Sequence, residues 1–402
     1  MIAGNSSLNQ LVNTATENIF PELIKIREHL HTNPELSFQE FNTAKFIRGI
    51  LDDLNIEWQS VANTGTVALI DCGIKNAKTI ALRADIDALP IKEISDKSYA
   101  SINAGVMHAC GHDVHTSCLV GAIKIILSLK HLLKGNVLCI FQPGEEKLPG
   151  GASLILKSNA LSPTPDWIIG QHVQPSIEAG KVAFLKGKAM ASSDEIYITV
   201  KGKGGHGAMP QLTIDPIVIA AQIIISLQQI VSRCANPFTS SVLTIGKIQA
   251  DGATNIIPGE ATITGTFRTM DEQWRNQAKE LINKICKNTA EQFGAKAEVN
   301  IIHGYPYLIN DHDLTDNLSQ LAKEYLGDGG VTSIDPTMTS EDFAFYSQKF
   351  KGCFYRLGVG NKDKNIVSPV HTPTFDIDNN ALKVGSGLMA YLTIKKFQNL
   401  NE

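Results

Sequence analysis

A chain of 402 residues, 43% apolar and 19% charged, has the material for large buried cores, and its length suggests two domains rather than one. A formal charge of -4 leaves no basic footprint, so nucleic acid and anionic membrane surfaces are not expected partners and a small molecule is. The opening stretch MIAGNSSLNQ lacks the basic-then-apolar pattern of a signal peptide, and no window approaches the ~18 uninterrupted apolar residues of a membrane span, which predicts a cytosolic protein.

Three short apolar runs come first in chain order: TIALRA (79–84), NVLCIF (136–141) and DWIIG (166–170). They read as buried strands interleaved with helical patterns. Each stops at polar residues, DIDALP, QPGEE and QHV respectively, so carboxylates and a histidine collect where strands end, the usual ligand position in open α/β sheets. Between the first two lies HDVHTSCLVGAIKIILSLKHLLKG, which predicts a helix from near Asp113 to before Gly135 with Asp113 as N-cap. From about residue 188 the pattern alternates, and the predicted order β-α-β-β-α-β is that of a split βαβ, ferredoxin-like unit. The expected fold class is therefore α/β: a main domain with an open mixed sheet, residues 1–187 and 304–402, and an inserted α+β domain, residues 188–303.

The stretch MHACGHDVH (107–115) concentrates potential ligands. Cys110 and His112, spaced C-x-H on a loop, can face one ion. Alone the pair is weak, but Glu145, Glu146, His172 and His371 fall at strand ends or in loops and complete a mixed N, O and S donor set suited to zinc or a similar divalent ion. The other six cysteines (Cys72, Cys118, Cys139, Cys234, Cys286, Cys353) are widely spaced and never form C-x-x-C, which argues against a disulfide framework and a zinc ribbon. Adjacent glutamates in an extended QPGEE should point oppositely, which in a hydrolytic metal centre would give one carboxylate on a metal and another accepting a proton from water, whereas the pair taken alone reads as a solvated acidic turn before Lys147. GKGGHGAMP formally contains G-x-G-x-x-G, but Met209 and Pro210 stand where a helix should start, so a dinucleotide site is not expected. Its glycine-flanked His206 reads either as a hydrogen-bond donor to substrate or as part of a plain hairpin connection.

Eight ordered motifs, HTNPELSFQE, LRADIDALPI, HACGHDVHTS, FQPGEE, GGHGAMP, NIIPGEATITGTFRT, SEDFAFY and HTPTFDID, span His31 to Asp378 and together resemble the metal-dependent aminoacylase and carboxypeptidase superfamily. The nearest branch is that of N-acyl-amino-acid amidohydrolases, with hippurate hydrolases and auxin-conjugate hydrolases. The resemblance implies a two-metal site with Cys110 bridging, His112, Glu146, His172 and His371 as the other ligands, and Glu145 as general base. It also implies that the inserted domain is a lid that makes a dimer, a tetramer being compatible, with His206 reaching the partner's active site to stabilise the developing oxyanion. The wider superfamily has a ligating histidine where this chain has Asp85, so Asp85 and Asp87 are expected to support ligands rather than bind metal. Asp113 is expected to orient a ligand or cap its helix, and His108 and His115 to be structural.

The activity so implied is hydrolysis of an N-acyl amino acid, with Asn255 a second oxyanion donor and Arg268 a partner for the substrate carboxylate, although a strand arginine is more often solvated. Zinc or manganese is the expected metal pair, cobalt and nickel being compatible. A dipeptidase or carboxypeptidase using the same centre is the rival reading. A non-catalytic metal-dependent binding protein is a further one, which the presence of Glu145 and all five ligands disfavours.

Overall fold

The computed structural model of the protein describes residues 7–399. They form two compact units, one of residues up to 187, 309–335 and from 345 onward, the other of 188–308 with 336–344. The second unit thus extends past the expected boundary at 303 and reclaims a later segment. The reason is local pairing: Thr337 N donates to Ala189 O at 3.0 Å and Ala191 N to Thr339 O at 2.9 Å.

The first unit opens with α1 (Leu8–Thr32), started by a reciprocal Ser7–Gln10 capping box, and α2 (Phe41–Asp53). Strands β1 (Trp58–Val61), β2 (Gly65–Ile70) and β3 (Thr79–Asp85) follow, then α3 (His112–Ser128), β4 (Asn136–Gln142), α4 (Gly151–Ser158), β5 (Trp167–Glu178) and β6 (Val182–Phe184). Short strand β7 (Gly187–Met190) carries the chain into the second unit.

There the elements are β8 (Asp194–Lys201), β9 (Gly205–His206), α5 (Pro216–Gln229), β10 (Ser241–Gln249), β11 (Ile256–Ile257), β12 (Glu260–Thr269), α6 (Glu272–Gln292) and β13 (Lys296–His303). The four long strands make an antiparallel sheet in the order β10-β12-β8-β13, with α5 and α6 sharing its core through Ile219, Ile223, Ala278 and Ile282. This is the split βαβ order expected from the alternation. Asp194 and Arg275, both shut off from solvent, pair through two 2.8 Å contacts and tie the start of α6 to the start of β8. With the π-turn Ile230–Cys234, α5 is long and apolar enough to cross a membrane by length and composition. Its inner face lies in this core, while Val218 and Ile225 on the other face are exposed.

The chain returns through β14 (Leu308–Asn310) to α7 (His312–Leu326) and β15 (Val331–Ser333), and, after α8 (Ala344–Ser347), ends in β16 (Lys351–Gly360) and α9 (Asn380–Gln398). The first unit's sheet has eight strands in the order β1-β2-β4-β3-β5-β16-β6-β15, with β4, β3, β5 and β16 mutually parallel. Being covered on both faces, β3 is buried at every position, which is why it reads as a continuous apolar run rather than an alternation. Helices α3 and α9 pack together and are buried almost throughout.

The expected cap of α3 is corrected. Its N-cap is Gly111, at φ +78°, and Asp113 sits in the first turn without capping it. Gly111 holds the left-handed conformation without strain, and a Cβ there would lie 2.7 Å from Val173 Cγ2. Asp113 instead accepts from Arg27 Nε and is bonded to His31 Nδ1, each at 2.8 Å.

Candidate metal centre

Parallel strands deliver the site. Asp85 ends β3 and Asp87 follows it; Glu145 and Glu146 come three and four residues after β4; His172 lies on β5. Cys110 and His112 flank the Gly111 cap of α3. The residue ordering the last contributor is backbone: His371 N donates to Ala109 O at 2.7 Å, and His371 itself adopts φ +61°.

These side chains converge on Cys110, which is 6% exposed. Its Sγ is 3.4 Å from His172 Nε2 and 3.2 Å from His371 Nε2. Two groups of donor atoms within 4.8 Å share this sulfur, one with His112 and His172 and the other with Glu146 and His371. A third joins His112, Glu145 and Glu146. The paired glutamates therefore do not diverge as an extended strand would require. The chain bends after β4, with Gly144 at φ +58°, and both carboxylates come to the same histidine.

Two of the imidazoles are oriented through one ring nitrogen: His112 Nδ1 lies 3.2 Å from Asp87 Oδ1, and His172 Nδ1 2.8 Å from its neighbour's carbonyl at Val173. His112 Nε2 and Glu146 Oε1 are both inaccessible and make no hydrogen bond, although they stand 4.0 Å apart and Glu146 Oε1 is 3.2 Å from His371 Nε2 without hydrogen-bonding geometry. Orphaned, inward-facing donors of this kind suit a divalent cation. Electrostatics point the same way. Burial would lower the His112 pKa, but Asp85, Asp87 and Glu146 overcome it and push it up to about 10. Burial, then the charges of Glu146 and Glu145, raise the Cys110 thiol well above its usual value. The His112 shift and the carboxylates' share of the Cys110 shift say that this pocket favours added positive charge, while the larger cause at Cys110 is burial of the thiol itself.

Asp85 lies 3.7 Å from His112 Nε2 but is bonded to His115 Nδ1 at 2.6 Å and to Arg83 at 2.5 Å. His115 Nε2 in turn accepts from Val173 N at 2.9 Å, so this histidine braces the strand that carries His172. Asp113 faces Arg27 and His31 rather than a candidate ligand. His108 is buried with no hydrogen bond to either ring nitrogen, and burial drops its pKa to about 4.

The remaining candidates lie in the second unit. His206 on β9 and Asn255 in the turn just before β11 are brought together, with Gly207 N donating to Asn255 O at 2.8 Å, and both are exposed. Arg268 is half-buried on β12, with Nη1 donating to Met338 O at 3.2 Å and Ser340 Oγ at 3.3 Å. Sequence reasoning missed Arg27, His31, Ser37 and Glu40. The only available signal was their membership of, or closeness to, the quoted HTNPELSFQE motif.

Residues 81–395 match the family described as peptidase family M20/M25/M40. N-acetyl-L-cysteine deacetylase of Bacillus subtilis (strain 168) is 39% identical over 385 residues, covering 95% of this chain and 89% of its own. Thermostable carboxypeptidase 2 of Saccharolobus solfataricus is 37% identical over 376 residues, covering 93% and 95%. Among solved structures, the Bacillus subtilis YXEP protein, described as a dinuclear metal binding peptidase from the M20 family, superposes with a TM-score of 0.81 at 35% identity, covering 95% of this chain and 99% of that one. Fold, donor set and relatives together define a metal-dependent hydrolase of the amidohydrolase class. The chain belongs to the M20/M25/M40 peptidase family.

Proposed function

We propose that the protein hydrolyses the amide bond of N-acyl amino acids, releasing a free amino acid and a carboxylate. The observation that supports this reading is that the Cys110 sulfur belongs to two separate groups of donor atoms, which would suit a site holding two ions. Cys110, His112, Glu146, His172 and His371 would hold two divalent ions, zinc or manganese with cobalt and nickel compatible. Such ions supply Lewis acidity, lowering the pKa of water toward neutrality and polarising the amide carbonyl.

Glu145 takes the proton of the attacking water and passes it to the leaving nitrogen. Its support is a carboxylate oxygen within 4.8 Å of donor atoms on His112 and Glu146. His206 and Asn255 donate to the oxyanion, and Arg268, whose described bonds use Nη1, pairs with the substrate carboxylate. Asp87 orients His112, Asp85 orients His115, which braces the strand carrying His172, and Asp113 secures the first turn of α3. We further propose a cytosolic homodimer or homotetramer that binds neither nucleic acid nor membrane. Support for assembly comes from exposed Val218 and Ile225 on α5, together with β10 as an edge strand.

A carboxypeptidase or dipeptidase reading draws on the similarity to thermostable carboxypeptidase 2. The deciding experiment offers the metal-reconstituted protein N-acetyl-methionine, N-benzoyl-glycine and an unblocked dipeptide, and measures free amino acid. Chelator-sensitive release from the acylated pair is expected. Release from the dipeptide alone would move the assignment to peptidase, and no release from any of the three would favour a binding protein.

A further inference from the structure

Segment 31–40, HTNPELSFQE, supplies no candidate ligand, yet three of its side chains end on three pieces of the metal centre. His31 Nδ1 is 2.8 Å from Asp113 Oδ2, at the residue following His112. Ser37 Oγ donates at 2.6 Å to Asp87 Oδ2, the oxygen that also accepts Glu146 N at 3.0 Å, while Oδ1 of the same carboxylate faces His112. Glu40 is fully buried; its Oε1 accepts both Phe38 N and Gly144 N at 2.8 Å, and its Oε2 accepts the Thr64 hydroxyl at 2.6 Å. The segment's backbone is joined to the same neighbourhood, since Ala88 N donates to Glu35 O at 2.8 Å.

Two backbone irregularities meet where Glu40 acts. Phe38 holds φ +65°, a conformation rare for an aromatic residue, and its ring lies so close to Gly144 that a Cβ there would strike it. One carboxylate oxygen is thus the common acceptor for a left-handed turn in segment 31–40 and for the bend that turns Glu145 and Glu146 onto one histidine. Burying a carboxylate whose described partners are three neutral donors is costly in itself. A left-handed aromatic residue and a buried carboxylate meeting at one bend are local costs of the kind that cluster near functional sites, although Glu40 also opens α2.

We propose that segment 31–40 is the positioning element of the metal centre, with Glu40 clamping the backbone of the 144–146 bend and Ser37 setting Asp87. Glu40 touches neither substrate nor metal; it acts through the bend. The inference rests on reading the centre as a dinuclear metal site, and its test keeps the two apart.

Cobalt(II) is titrated into the metal-free full-length protein by calorimetry, the visible spectrum of bound cobalt is recorded, and kcat and KM are measured separately. Wild type is expected to take two equivalents; failure to bind would bring down the reading of the centre itself. Glu40→Ala should weaken cobalt binding by roughly 10–100-fold, alter the cobalt band and lower kcat more than it changes KM. Glu40→Gln should recover most of the loss, because its amide oxygen still accepts both N–H groups and its NH2 can donate to Thr64. Glu40→Asp keeps the charge but falls one methylene short, should behave like Glu40→Ala, and decides the matter if Glu40→Ala does not fold. Wild-type affinity, spectrum and kcat in Glu40→Asp would overturn the proposal, as would equal losses in Glu40→Gln and Glu40→Asp.

Discussion

Cys110 and His206 both stand beside glycines in loops that the sequence marks as chemical, yet their surroundings differ. Around Cys110 most of the donor-bearing side chains are buried or half-buried, with His371 exposed, and His112 and His172 are held through a second ring nitrogen. His206 is exposed on a two-residue strand, and its ring takes one local bond, from Ala208 N at 3.1 Å. A charge-binding centre has to be rigid before its ion arrives, because each reorientation of a buried dipole would subtract from affinity. A group proposed to meet only the developing oxyanion would have no such demand in the resting protein.

That contrast can be broken at several points. Glu145→Gln is the severest test on the rigid side: bound metal, read by elemental analysis, should be unchanged while kcat falls by ~10²–10⁴. Appreciable residual turnover would remove Glu145 from the base role. On the exposed side, His206→Ala should cost about 10²–10³ in kcat, with metal content and thermal midpoint as in wild type. If KM alone moved, His206 would belong to substrate binding. Asp85→Asn separates bracing from ligation: metal affinity should drop roughly 10–100-fold, and the thermal midpoint should fall because buried Arg83 loses the Asp85 carboxylate. Ile225→Glu should leave metal content untouched and shift sedimentation toward the monomer. An unchanged oligomer would place the interface elsewhere.

The candidate donors were legible because each sits in a short motif at a strand end or loop, where residue type and position suggest metal chemistry. Cys110, His112, Glu145, Glu146, His172 and His371 stood out without contact information, but the proposed division between a ligating Glu146 and a basic Glu145 came from the family resemblance alone. What holds them was not legible. Glu40 reaches Gly144 across 104 positions and Arg27 reaches Asp113 across 86, and no local pattern encodes bonds of that span. The glutamate pair was misread for a related reason: the bend at Gly144 depends on a carboxylate and an aromatic ring supplied from far upstream. Likewise Asp113 looked like a cap because Asp favours that position, but Arg27 and His31 claim its carboxylate and a left-handed glycine takes the position instead. The strands fared better, since full burial between two helical layers writes itself into sequence as an unbroken apolar run, as in β3 and β4.

The first unit is discontinuous in sequence, with Asp85, Glu146 and His172 encoded before the second unit and His371 after it. No fragment ending at the second unit can therefore own a complete centre, and pairing between β5 and β16 must close over that whole excursion before His371 is in range. Any ion that recognises the finished arrangement binds the native chain and not the unfolded one. By mass action it then protects the entire first unit, by about 2.7 kcal/mol when free ion stands a hundredfold above its dissociation constant. If the proposed ions bind there, chelation should be felt as accelerated proteolysis of regions far from the sulfur, and metal supply would then bear on the lifetime of the protein as well as on its turnover.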